Sequence, residues 1–157
     1  MIKINIVAVG KVKEKYFADG ITEYSKRLSR YCDFKITEIK EENFNSEPSA
    51  TEILEIKRKE GLNIAKHLKG HVVVMAIEGK SLDSVKFSQF IRTTADRVGE
   101  ITFVIGGSYG VDDSIKNRAD TLFSFSPMTF PHTLFRLMLS EQIYRAFAID
   151  SGSPYHK

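Results

Sequence analysis

"FVIGGSYG", residues 103–110, is the stretch that decides the fold class. Three apolar residues, Phe103, Val104 and Ile105, run directly into Gly106 and Gly107, and Gly110 follows after Ser108 and Tyr109. So short a β-branched run is a buried strand and not a helix, and its glycines end it in bare backbone. "HVVVMAIEG", residues 71–79, has the same form: a continuous apolar run bounded by glycines. Strands without polar alternation are covered on both faces, which is the mark of a parallel sheet.

The rest of the chain fits around these two strands. Ile2 to Val9 alternates in Ile and Val and predicts a first strand, closed by Gly10. Residues 14–30 predict a helix from the spacing of Phe17, Ile21, Tyr24 and Leu28. Phe34, Ile36 and Ile39 mark a second strand. A polar loop, 41–50, precedes a helix to about Leu68, with Thr51 as its expected cap. Leu54 stands where a glutamate would complete a capping box on Thr51, so no box is expected. A helix over 83–98, a short helix in "DDSIKNRA" and a strand in "TLFSFS", residues 121–126, come next. Pro131 opens a last helix over 132–147. Strands alternating with helices predict an α/β fold with a mostly parallel sheet, in a single domain over 1–157.

A chain of 157 residues can bury a core without cross-links. Its lone cysteine, Cys32, allows neither an intrachain disulfide nor a thiol-based metal site. No apolar run approaches the ~18 residues that span a bilayer. The amino-terminal stretch reads as a strand and not as a secretory leader, so a cytoplasmic protein away from membranes is expected. The 23 basic and 20 acidic residues leave a net charge of +3, too mild to require a nucleic-acid partner. The excess sits in residues 1–80, which hold 15 Lys and Arg against 12 Asp and Glu. Lys11, Lys13, Lys15, Lys26, Arg27 and Arg30 flank or lie on the first helix. On charge alone, a solvated helix face is a simpler reading than a phosphate-binding patch.

Known phosphate loops do not fit. The G-x-x-x-x-G-K-[ST] pattern is missing, since Val74 stands where the first glycine would precede Gly79–Lys80–Ser81. "GGSYGV" lacks the spacing of a dinucleotide fingerprint. Taken alone, GGxxG is as compatible with a tight turn as with a ligand loop. The four histidines show no ligand spacing, so no metal is expected. Asp112–Asp113 sits at a helix start, where acids favour the dipole. Glu141 and Arg145 have the spacing of a helix ion pair. They lie in an otherwise apolar helix, buried by core or by a second subunit, so Arg136, Glu141 and Arg145 all need partners.

The segments "VGKVKEKYF", "FVIGGSYG" and "SFSPMTFPHTLFRLMLSEQIYRAF" and the terminal "PYHK" together resemble the RlmH family. These are bacterial methyltransferases of large-subunit ribosomal RNA within the SPOUT superfamily. The resemblance covers essentially the whole chain. It implies a deep trefoil knot in the C-terminal part of the fold and a homodimer. It also implies S-adenosylmethionine-dependent methylation of N3 of a pseudouridine in 23S rRNA, near the decoding centre of the assembled 70S ribosome. On the same resemblance, Met75, Gly106, Phe125, Ser126, Pro127, Met128, Thr129 and Phe130 bind the cofactor. His156 is the candidate base, Tyr155 positions the nucleotide or stacks on it, and Lys157, Arg136 and Arg145 meet the RNA. Pro127 departs from the family pattern; proline has no N–H, so any cofactor contact through that amide must differ here. Two rivals remain: a non-catalytic RNA-binding protein on the same fold, and a flavodoxin-type nucleotide-binding protein.

Overall fold

A computed structural model describes residues 1–157. The elements alternate: β1 (Lys3–Val9), α1 (Lys15–Leu28), β2 (Asp33–Ile39), α2 (Ala50–Ala65), β3 (His71–Lys80), α3 (Ser84–Val98), β4 (Glu100–Ile105), α4 (Asp113–Arg118), β5 (Thr121–Phe123) and α5 (His132–Asp150). One five-stranded sheet runs in the order β2-β1-β4-β3-β5, and every pairing is parallel. The expected α/β class and parallel sheet are therefore present.

The continuous apolar strands still obey a period of two. Ile4, Ile6 and Ala8, Val73 and Met75, and Ile101, Phe103 and Ile105 point to one face. There they meet Leu28 of α1, Phe87 and Ile91 of α3, and Leu139, Ile143 and Ala146 of α5. Val7, Val9, Val72, Val74 and Val104 point to the other face, against Ile64 of α2 and Ile115 of α4. Both faces are thus covered, which is why β3 and β4 read as near-continuous apolar runs. α5 packs on both α1 and α3, so its apolar residues run most of the way round it. Cys32 is 2% exposed, donates weakly to the Leu28 carbonyl at 3.7 Å, and has its thiol pushed up to about 12, chiefly by burial.

Three local expectations need correction. α2 is capped by Ser49 and not by Thr51. The Ser49 hydroxyl accepts the Glu52 amide at 3.2 Å and the Glu52 carboxylate accepts the Ser49 amide at 3.0 Å, so a full capping box is present where none was expected. β5 ends at Phe123 and not at residue 126. The Ser124 amide donates to the Lys80 carbonyl at 2.9 Å, and its hydroxyl turns the chain by accepting the Ser126 amide at 3.2 Å. α5 continues to Asp150, three residues past the expected end.

β3 bends at its end. Both Met75 and Lys80 pair with Phe123, so the chain leaves the regular ladder after Met75 and returns to β5 at Lys80. The return is tight: a Cβ at Gly79 would lie 2.6 Å from the Leu122 carbonyl carbon.

Candidate active site

The strand order reverses between β1 and β4. Ligands of open parallel sheets bind beyond the carboxyl ends of the strands at such a switch point. Here those ends are Val9–Gly10 and Ile105–Gly106. The glycine turn folds back on itself: the Gly110 amide donates to the Gly107 carbonyl at 3.1 Å, and Gly110 takes a φ of +90°. A Cβ at Gly106 would lie 2.7 Å from Val111 Cγ2 and 2.8 Å from the Gly110 carbonyl carbon, so the turn closes only on glycine.

Next to the turn lies a cavity of roughly 730 Å³. Of the residues that the resemblance assigns to the cofactor, Met75, Gly106, Phe125, Ser126, Met128, Thr129 and Phe130 line this cavity; Pro127 does not. Its further lining includes Ile105, Gly107, Tyr109, Ser124, His132 and Phe135. The opposite wall is shaped by successive serine turns. Ser126 Oγ accepts the Met128 amide at 3.0 Å, one step after the Ser124 hydroxyl accepts the Ser126 amide. Phe125 and Phe135 back this wall, with ring centroids 4.8 Å apart. The segment is therefore a shaped wall with apolar sides and several backbone groups at its surface. A second cavity, roughly 680 Å³, lies between α1, α3 and α5 and shares Phe125 with the first.

Acidic groups gather where the β1–β2 side meets the glycine turn. Ser108 Oγ donates to Glu41 Oε1 at 3.4 Å. Glu60 of α2 is 3% exposed and reaches the underside of the turn. Its Oε2 accepts the Glu42 amide at 3.1 Å. Burial pushes the Glu60 carboxyl up to about 7, with Glu41 and Glu42 adding to the rise and the Glu42 amide opposing it. Sequence reasoning missed Glu60, although a signal existed. It lies four residues from both Ile56 and Ile64, a charged residue on the apolar stripe of its helix.

Arg136 is also at this end, but inside. It is 3% exposed; NH1 donates to Glu38 Oε2 at 2.6 Å and NH2 to the Gly10 carbonyl at 3.1 Å. Its buried Nε has no partner. The guanidinium ties the start of α5 to the turn after β1. It does not face outward as an RNA contact would.

The tail residues form a separate cluster on α5 and α1. Arg145 Nε donates to Glu141 Oε1 at 2.7 Å, and the Arg145 guanidinium lies 4.8 Å from the Tyr155 ring centroid. Arg145 NH1 lies 3.0 Å from His156 Nδ1. A guanidinium can only donate, so Nδ1 accepts and the ring proton resides on Nε2. The Tyr155 hydroxyl is 3.3 Å from that of Tyr24, and burial together with this bond pushes it up to about 12. Tyr155 is consequently a neutral phenol. Lys157 is exposed at the end of the chain. None of Arg145, Tyr155, His156 and Lys157 lines the 730 Å³ cavity. No group of three or more His, Cys, Asp or Glu is arranged to hold a metal ion, and no helix is long and apolar enough to cross a membrane.

A family model described as "Predicted SPOUT methyltransferase" matches residues 2–156. A protein of Streptococcus uberis named Ribosomal RNA large subunit methyltransferase H is 49% identical, over 99% of this chain and 100% of its own. One of the same name from Latilactobacillus sakei is 47% identical over the same shares. Among solved structures, a probable methylase family protein from Haemophilus influenzae Rd KW20 has a TM-score of 0.53 at 10% identity, covering 99% of this chain and 70% of that one. That last likeness speaks to the fold alone. The full-length matches at nearly half identity go further, and by them the chain belongs to the RlmH family of SPOUT methyltransferases.

Proposed function

We propose that this chain is an S-adenosylmethionine-dependent methyltransferase acting on N3 of a pseudouridine in 23S rRNA, near the decoding centre of the assembled 70S ribosome in the cytoplasm. The observation that carries the reading is the cavity beside the glycine turn, beyond the carboxyl ends of β3, β4 and β5. Its roughly 730 Å³ suits a nucleoside-sized ligand. Met75, Met128 and Phe130 offer apolar walls to an adenine, the serine-shaped segment and the glycine turn offer backbone groups, and Glu41 and Glu60 bias the site toward a cation. Bound there, the cofactor would supply the methyl group as a sulfonium electrophile. A loop for phosphate is not needed for such a ligand, in keeping with the sequence.

The N3–H of the base must leave for nitrogen to attack. His156, expected as a base, is better suited to donating through Nε2–H while Arg145 holds Nδ1. Together the imidazole N–H and the guanidinium would stabilise the imidate anion, leaving its proton to solvent. Tyr155, kept as a phenol, positions the nucleotide, and Lys157 meets phosphate. Arg136 is assigned to positioning, through Gly10 and Glu38.

Phe135 in the cavity and Arg145 in the tail cluster are ten residues apart on α5, about 15 Å along its axis. One chain's tail is thus far from its own cavity. A homodimer would solve this, with each tail completing the other subunit's site. The half-buried Leu137, Met138 and Tyr144 on α5 favour such a contact. A trefoil knot in the C-terminal part of the fold belongs to the same reading and rests on the family to which the chain belongs. Pulling the chain from residues 70 and 157 should leave the extension short by a tightened knot; a full-length extension would mean an open path.

The function is tested by transfer of a labelled methyl group from S-adenosylmethionine to ribosomes lacking the modification, with 70S particles and free 50S subunits side by side. Label at one pseudouridine of 23S rRNA, strongest with 70S, is expected. A folded protein that binds ribosomes without transferring label would be an RNA-binding protein on this fold.

A further inference from the structure

Glu60 touches no reacting group in the chemistry above, yet it is the one carboxyl buried behind the glycine turn. A Cβ at Gly107 would lie 3.2 Å from Glu60 Oε1, 3.4 Å from Oε2 and 3.0 Å from Val9 Cγ1. Gly107 itself lines the cavity. The carboxyl therefore sits one backbone layer from the ligand space. Its one hydrogen bond is from the Glu42 amide. Glu60 takes part in none of the ion pairs. The charged groups facing it are Glu41 and Glu42 of the loop after β2, both acids. From β1 and the glycine turn come Val9 and Gly107, which do not titrate; from the start of α4, Asp112 packs against the neighbouring Gly61. A buried carboxyl with acidic neighbours and no cation is a poor stabiliser of the fold. What it lacks is a positive charge, and the cavity on the other side of the turn is where one would come.

We propose that Glu60 is a specificity-determining residue: ionised, it makes the cavity prefer a positively charged sulfonium cofactor over the neutral thioether left after methyl transfer. This rests on the cofactor reading above. It deepens that reading by assigning discrimination between cofactor and spent product to a residue that touches neither. The charge acts through the turn at a distance where Coulomb interaction in a partly desolvated site is worth on the order of tenfold in affinity. By linkage, arrival of the cation favours ionisation of Glu60, and its conversion to a neutral product favours reprotonation and release.

The test is the ratio of the dissociation constants of S-adenosylhomocysteine and S-adenosylmethionine, measured by calorimetry from pH 5.5 to 8.5. In the native protein the ratio should rise about tenfold as pH passes through about 7, where Glu60 ionises. Glu60→Gln should hold it flat at the low-pH value. His132, the imidazole that lines the cavity, is the control: His132→Gln should keep the slope. A second reading is thermal stability. The unfolded chain ionises this carboxyl at its ordinary 4.5 and the folded chain at about 7, so the folded state binds more protons between them. Stability is lost as pH rises through that window. Glu60→Gln should therefore raise Tm at pH 8 and leave it unchanged at pH 4.5. A flat native ratio, or a slope that survives in Glu60→Gln, overturns the proposal; a shift in Tm without a change in ratio reduces Glu60 to a structural residue and overturns it equally. Failure of either ligand to bind at any pH would sink the cofactor reading itself, and this proposal with it.

Discussion

The two ends of the sheet are made by the same strands and finished in opposite ways. At the amino ends, polar groups are paired off. Thr102, with no exposed surface, donates to the Lys69 carbonyl at 2.7 Å and accepts the Lys69 amide at 3.3 Å. Asp120 accepts the Val72 amide at 2.8 Å, His71 meets Thr121 at 2.9 Å, and the Lys3 amide donates to the Gly99 carbonyl at 3.0 Å. At the carboxyl ends the finish is incomplete. A glycine turn leaves a cavity, a carboxyl is buried without a cation, and Arg136 carries an unpartnered Nε. The closed end contributes stability. The open end spends some of it on a place for a ligand, which is where unsatisfied local rules are expected.

Removing residues 155–157 asks whether the open end suffices for activity. Methyl transfer should fall at least about a hundredfold, the usual worth of positioned donors, while S-adenosylmethionine binding survives. Native turnover by the shortened chain would remove the tail from the chemistry. A pair of glycine substitutions then separates the two ends. Gly70 has a φ of +64° and its missing Cβ points into the Glu100 carbonyl. Gly70→Ala should cost about 2–4 kcal/mol in denaturant unfolding, from the left-handed backbone plus the clash, with cofactor affinity of the folded fraction unchanged. Gly107→Ala has to give by only a few tenths of an ångström against Val9 and Glu60. It should weaken cofactor binding about tenfold while costing only about 1 kcal/mol. Equal losses of stability from both substitutions would erase the distinction between the ends.

Most of the sheet was legible, because β-branched runs bounded by glycine leave few alternatives. The order of the strands was not, since periodicity describes each strand's faces and not its neighbours. The β5 boundary was missed because Phe123, Ser124, Phe125 and Ser126 alternate as a strand would, while Ser124 diverts the backbone into a side-chain turn. The capping box was in plain text at Ser49 and Glu52, hidden by a reading that started at the β-branched Thr51. At the site, family resemblance pointed to Phe125 through Phe130, all of which line the cavity except Pro127, and the glycines pointed to the strand ends. Arg136 was expected at the RNA because a charge in an apolar helix demands a partner. Its partners proved internal, Glu38 and the Gly10 carbonyl, each about a hundred residues or more away in sequence. Such long-range pairing leaves no local pattern to read.

Cys32 has one more consequence. A thiol that is buried and held up at about 12 is almost entirely protonated under physiological conditions and closed to reagents. It is also the only thiol in the chain. Its alkylation must wait for α1 and the start of β2 to part, so the labelling rate counts openings of the amino-terminal third of the molecule. The protein carries, without engineering, a single chemical probe of its own breathing, silent toward the ligand cavity at the other end of the strands.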